Sequence, residues 1–292
     1  PSALNYYLDC PLKFYYRYVA GLSAPDEVSA EIDSATFGSI FHYAAEHIYK
    51  DLTTHGKVIN KEALETLLRN EVKLQDYVDT AFKKLFFNVP QNEKPEYNGV
   101  QLINSAVIAR YLKQLLQNDL RYAPFTFIAS EMEVDEPIDI QTPKGVIKSR
   151  IGGIIDRMDS KDGTLRIVDY KTGGDADTPP HVESLFIPDK KRSSYYNYYS
   201  YKTWGAAATY AAIMCRKQPT MKIAPALLYI HRAATETYSP VIQMGEPRKP
   251  KEAVEDFSKY EKEYRERLQG LLEEIFNPEK SFTQTEIIEK CT

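Results

Sequence analysis

Between Gly152 and Asp159 the chain reads GGIIDRMD, and between Ile167 and Gly173 it reads IVDYKTG, with the polar turn Ser160-Lys161-Asp162-Gly163 in between. Each half is an apolar run holding a carboxylate, Asp156 in the first and Asp169 in the second, and Lys171 follows two residues later. A carboxylate taken out of water without a partner is costly, so aspartates in apolar strands are paired or hold a cation. On a strand, Asp169 and Lys171 share a face, and a turn centred near Lys161 brings Asp156 toward them. Two chemistries fit. One is a hard-oxygen site for Mg²⁺ or Mn²⁺, with the lysine orienting a water or steadying a phosphate. The other is a buried ion pair between Lys171 and one aspartate. The D-x-K spacing does not choose between them.

The elements around this hairpin follow from periodicity. SALNYYLDCPLKFYYRYVA, residues 2–20, reads as helix with a break at Cys10-Pro11. From Phe37 a helix carries an apolar stripe of Phe37, Ile40, Phe41, Ala44, Ile48 and Leu52. Further helical periodicity covers 60–88 and 98–121. From Phe125 the pattern turns to strand: FTFIASEMEVDEPIDI, GVIKSRIGGIIDRMD and GTLRIVDYKTG, joined by turns with Pro-Lys-Gly and Lys-Asp-Gly. A helix over 204–217, strands at 225–232 and 239–244, and a charged amphipathic helix from Glu252 to Phe276 complete the chain. The expected fold is α/β, a small mixed sheet flanked by helices. Residues 1–124 form a helical segment and 125–292 the core, together one compact domain.

The 292 residues are 43% hydrophobic and 27% charged, an ordinary globular balance. No apolar run is long enough for a membrane span, and no signal peptide is evident. A formal net charge of −4 gives no general pull toward nucleic acid, so a nucleic-acid site must be a local basic patch or work through a cation. Three widely spaced cysteines make no disulfide scaffold, and the default location is the cytoplasm. The first residue is Pro1, which fits a piece of a longer polypeptide or a processed chain. No GxxxxGK[ST] phosphate loop is present.

These residues carry a resemblance. GGIIDRMD followed by IVDYKTG resembles the second and third motifs of the PD-(D/E)XK nuclease superfamily in its RecB-like and AddB-like branch. FGSIFHYAAEHIY resembles the branch's first motif, G-x-x-x-H-x-x-x-E, at Gly38, His42 and Glu46. SALNYYLDCPLKFYYRYV is similar to the branch's opening segment, and FTQTEIIEKC to the run into its cysteine-rich tail. The resemblance implies that His42, Asp156, Asp169 and the backbone carbonyl of Tyr170 hold Mg²⁺ or Mn²⁺, and that Lys171 acts on the attacking water. From the helix alone, His42 and Glu46 lie roughly 120–160° from the centre of the apolar stripe, which by itself reads as a solvated flank. Glu46 is placed to orient the His42 ring, or else is plain surface. The fourth motif, Q-x-x-x-Y, falls on TWGAAATYAAIM: Tyr210 fits the tyrosine and Ala206 replaces the glutamine. AddB-like members also hold a [4Fe-4S] cluster. Cys10 and Cys291 are placed like its first two ligands, and since four thiolates are normally needed, only a longer protein could build it. Cys215 lies in an apolar run and reads as core.

After the hairpin, DKKRSSYYNYYSYK interleaves basic residues with tyrosines. Lys190, Lys191, Arg192, Tyr195 and Tyr196 are candidates to track and stack a single DNA strand, or else an amphipathic loop packed on the domain. The expected function is metal-dependent DNA hydrolysis, with exonuclease action, in the nuclease domain of a helicase-nuclease that repairs double-strand breaks. Its expected partners are DNA single strands or ends and a helicase domain or subunit. The alternative is a nuclease-like domain that binds DNA or supports a repair complex with weak or no cutting.

Overall fold

Capping side chains start the helices that surround the hairpin. Asp33 accepts a hydrogen bond from the Thr36 amide, and Asn98 and Gln101 form a reciprocal capping box. The computed structural model describes residues 2–22, 31–93, 96–174, 178–188, 190–191, 198–199, 203–246, 248–287 and 290. In chain order its elements are α1 (Ser2–Asp9), α2 (Pro11–Phe14) running into a π-helical turn Tyr15–Val19, α3 (Ser34–Leu52), β1 (Val58–Ile59), α4 (Lys61–Leu68), α5 (Glu71–Phe82) and α6 (Gly99–Tyr122). Strands β2 (Phe125–Thr142), β3 (Gly145–Lys161) and β4 (Thr164–Lys171) follow, then the short ladder of β5 (Lys190–Lys191) and β6 (Tyr198–Tyr199). The chain continues with α7 (Trp204–Lys217), β7 (Lys222–Tyr229), β8 (Gln243–Met244), β9 (Glu252–Ala253) and α8 (Ser258–Ile275).

The main sheet has the order β1-β2-β3-β4-β7. β2, β3 and β4 form an antiparallel meander, and β4 pairs in parallel with β7 through the α7 crossover. Alternation along β4 and β7 divides the core between the two faces. Val168, Tyr170, Ala226 and Leu228 join the cluster built by α3–α6, while Ile167, Leu227 and Tyr229 join α7 and α8. The α/β fold with a small mixed sheet and flanking helices is therefore as the sequence implied.

Several boundaries differ from the periodicity: the helical stretch over 60–88 breaks between Leu68 and Glu71, and the strand expected at 239–244 is confined to Gln243–Met244. The last helix starts at Ser258 rather than Glu252, because Glu252–Ala253 pairs with Gln243–Met244 and the Phe257 amide donates to Ile223 O at 2.7 Å. The strand expected over 225–232 ends at Tyr229 and closes as a 3₁₀ turn, Ile230–Arg232.

The β3–β4 hairpin is anchored by charge. Arg157 is fully buried and makes a bidentate pair with Asp119 of α6, Nη1–Oδ2 2.7 Å and Nη2–Oδ1 3.0 Å. Its Nε lies 3.0 Å from Asp159, which in turn forms a bidentate pair with Arg166 at 2.9 Å for both bonds. The Tyr49 hydroxyl of α3 donates to Asp119 and accepts from Arg157. The Arg166 guanidinium stacks 3.8 Å above the Tyr122 ring. Removing one member of such a buried set leaves its partners uncompensated. Asp119→Ala is therefore expected to lower stability by about 3–5 kcal/mol in urea denaturation. Glu65→Ala, at an exposed pair with Arg69, should change it by no more than about 0.5 kcal/mol.

Candidate metal and phosphate site

The strands of the hairpin part just where its carboxylates stand. Antiparallel pairing of β3 with β4 runs from Lys161↔Thr164 to Arg157↔Val168 and stops there. The next rung would oppose Asp156 and Asp169, two like charges, which disfavour pairing. In place of a ladder bond, Asp156 Oδ2 accepts from the Tyr170 amide at 2.6 Å. The site thus opens at a fork whose two prongs each carry a carboxylate.

His42 reaches this fork from α3. Its Nδ1 lies 3.5 Å from Asp156 Oδ1 and 3.6 Å from Glu131 Oε1, and its ring meets Tyr170 edge-on at 5.5 Å. Lys171 Nζ stands 2.5 Å from Asp169 Oδ2, an oxygen enclosed from solvent. Of the two chemistries left open by the D-x-K spacing, the ion pair is present, Lys171 with Asp169, while Asp156 stands apart from it and faces the imidazole. His42, Asp156, Asp169, Tyr170 and Lys171 line one cleft of about 530 Å³. Ala206 and Tyr210, on α7, line its far side, so the fourth-motif positions do reach the site.

The charges are set by enclosure. Burial, followed by the charge of Asp169, pushes the Asp156 carboxyl up to about 7, against the pull of His42 and the Tyr170 amide. Burial favours neutral His42, but the nearby carboxylates of Glu131, Asp156 and Asp169 outweigh it and raise the imidazole. Lys171 is raised likewise: burial opposes its charge, and the Asp169 carboxylate more than restores it. At neutral pH Lys171 is therefore an ammonium, able to donate to a water or phosphate oxygen.

Glu131 is the site residue that sequence reasoning passed over. It sits inside β2 in the left-handed region, φ 46°, which is strained for a glutamate. It falls between the rungs Ser130↔Arg157 and Met132↔Ile155, opposite Asp156. The signal was there: the turn after Thr142 sets Thr142 against Gly145, and counting back along that register puts Glu131 against Asp156. Ligand atoms of His42, Glu131 and Asp156 lie within 4.8 Å of one another, and His42 Nδ1 is 3.5 Å from Asp156 and 3.6 Å from Glu131, close enough for either carboxylate to share a cation with the imidazole at metal–ligand bonds of about 2.0–2.2 Å. The donor set, oxygens with one imidazole, fits a divalent cation.

The other expected residues fall elsewhere. Glu46 pairs with Lys50 at 2.7 Å, and the carboxylates facing His42 are Glu131 and Asp156. Cys10 is fully buried and disulfide-bonded, so its sulfur is not an available thiolate; Cys291 lies outside the described residues. Lys190 and Lys191 form β5, with only their backbone described, and Arg192, Tyr195 and Tyr196 lie outside the described residues.

The profile described as the PD-(D/E)XK nuclease superfamily matches residues 1–292. The chain belongs to the PD-(D/E)XK nuclease superfamily. Members of this superfamily are generally nucleases that use divalent metals. Among curated proteins no significant match is found. No helix among the described residues is long and apolar enough to cross a membrane.

The raised Asp156 carboxyl gives a pH prediction. Its folded value lies above the unfolded one, so its contribution to stability is complete below about pH 4 and is lost as pH rises through about 7. In EDTA, Asp156→Asn should gain stability relative to the unsubstituted protein between pH 4 and pH 8, measured by chemical denaturation. Mn²⁺ affinity, which needs the carboxylate, should rise over the same range. A constant stability difference would contradict the assignment.

Proposed function

We propose that the chain hydrolyses DNA phosphodiester bonds with Mg²⁺ or Mn²⁺ at the β3–β4 fork. The observation that carries this reading is the convergence of His42, Asp156, Asp169 and Lys171 on one cleft. His42, Asp156, Asp169 and the backbone carbonyl of Tyr170 would hold the cation, with Glu131 as a further carboxylate beside His42. When bound, the cation supplies Lewis-acid polarisation of the scissile phosphate and a lowered pKa for the attacking water. Lys171, kept charged by Asp169, orients that water and steadies the charge growing on phosphate oxygens. Tyr210 hydrogen-bonds to the Ile154 backbone and closes the α7 side of the cleft. The resemblance of the sequence motifs supports a RecB-like or AddB-like domain, the nuclease part of a helicase-nuclease acting on strands or ends in double-strand break repair, with exonuclease action.

A second reading has its own observation. Ala206 lines the cleft where the branch carries a glutamine, and a methyl group there cannot hydrogen-bond a substrate strand. On that reading the domain binds DNA but turns over slowly.

Incubation with end-labelled single- and double-stranded DNA in Mg²⁺, Mn²⁺ or EDTA decides between them. Cutting that needs the cation and falls by about 10²–10⁴ in Lys171→Ala supports the nuclease. DNA binding without cutting supports the second reading, and cutting that persists in EDTA contradicts both. For Glu131, substitution to Gln is expected to weaken Mn²⁺ binding about tenfold or more by calorimetry; unchanged affinity would remove it from the ligand set.

A further inference from the structure

Beside the catalytic cleft, along β7 and the segment that follows it, lies a second hollow of about 330 Å³. Its floor is aromatic: Trp204, Tyr229 and Tyr238. Its rim is polar and exposed, with Arg232, Thr235, Thr237 and Ser239. No carboxylate is among its described lining residues, so the chemistry favours an anion with a planar, apolar part rather than a cation.

The hollow is built in advance. The Tyr238 hydroxyl accepts from the Tyr229 amide at 2.8 Å and donates to Leu227 O at 2.9 Å, which fixes its ring against β7. The Arg232 guanidinium lies 5.5 Å from that ring's centroid. Successive turns, Thr235 N to Arg232 O and Tyr238 N to Thr235 O, shape the rim. From α6, Arg121 donates to the carbonyls of Ala233 and Thr235 and holds the loop in place.

Its position relative to the fork gives it a meaning. In the parallel β4–β7 ladder, Leu227 pairs with Asp169 and Tyr229 pairs with Lys171. Leu227 and Tyr229 line the hollow while Asp169 and Lys171 line the cleft, one strand spacing of about 4.8 Å away. At the start of α7, Thr203 lines the cleft and the next residue, Trp204, lines the hollow.

We propose that this hollow receives the nucleotide next to the scissile phosphate of a single DNA strand. Its base lies against Trp204 and Tyr238, and its phosphate meets Arg232 and the hydroxyls of Thr235 and Thr237. Aromatic floors bind bases of any sequence, and a guanidinium with hydroxyls suits phosphate oxygens. The inference rests on the proposed DNA hydrolysis and adds a substrate subsite to it.

Trp204 is the chain's single tryptophan, so its emission reports on the hollow directly. The test titrates the protein with a twelve-residue oligothymidylate in Ca²⁺ over a range of salt, following Trp204 emission and, separately, the anisotropy of a labelled strand. Binding is expected to quench the emission. Arg232→Ala should weaken binding about tenfold and lower the slope of log affinity against log salt by about 0.7, the value for one phosphate contact on a single strand. Arg232→Lys should retain the slope. Binding and cutting with unchanged emission, and an unchanged salt slope in Arg232→Ala, would overturn the subsite and leave the nuclease standing. Quenching by thymidine monophosphate as strong as by the oligomer would also overturn it, since the hollow would then bind free nucleotide rather than a strand. A protein that neither binds nor cuts DNA overturns both.

Discussion

Arg157 sits in a medium where an unpaired charge is barely tolerable, and the rest of the fold is arranged to satisfy it. Asp119 from α6, Tyr49 from α3 and Asp159 from its own strand surround the guanidinium, and Arg166 completes the alternation of charge. Such a network adds little net stability over a well-packed apolar core of the same shape. Its effect is geometric: fixed-direction hydrogen bonds tie the hairpin to two helices at a single register. His42 lies two turns before Tyr49 on α3, so the bond that locates Tyr49 also sets how far the imidazole reaches toward the fork. Tyr170 carries the same constraint across the sheet, its ring 5.7 Å from the Arg157 guanidinium on one side and edge-on to His42 on the other.

With that register fixed, the carboxylates have nowhere to relax. Asp156 and Asp169 fall on opposing positions, the ladder gives way, and Asp156 takes the Tyr170 amide that no strand partner would serve. The strain is electrostatic rather than steric. It raises the Asp156 carboxyl, shifts His42 and Lys171 toward their charged forms, and leaves a cleft that a divalent cation would neutralise. A single arrangement of four buried charges thus creates a second cluster of charges that is incomplete on its own.

Much of this was legible in the sequence, and the parts that were not share a cause. The hairpin, its polar turn and the α3 stripe follow from local periodicity, and so does the α/β class. His42 was not legible from periodicity: on the helix it lies off the apolar stripe, and only the motif marked it. Glu131 was missed because its contribution depends on cross-strand register carried far from the turn at Thr142–Gly145, which local periodicity does not report. Arg157, given no role by the sequence, anchors the hairpin, because its partners Asp119 and Tyr49 are distant in sequence. The start of α8 was misplaced for a similar reason, since the pairing of Glu252 with Met244 competes with its helical pattern.

The account stands or falls on where a cation binds. Crystals of the protein grown with Mn²⁺, with data collected near the manganese edge, would locate it by anomalous scattering. The account predicts a peak at the β3–β4 fork, within about 2.0–2.3 Å of His42, Asp156 and Asp169. A peak elsewhere, or a fully ordered fork with no peak at saturating Mn²⁺, would contradict it.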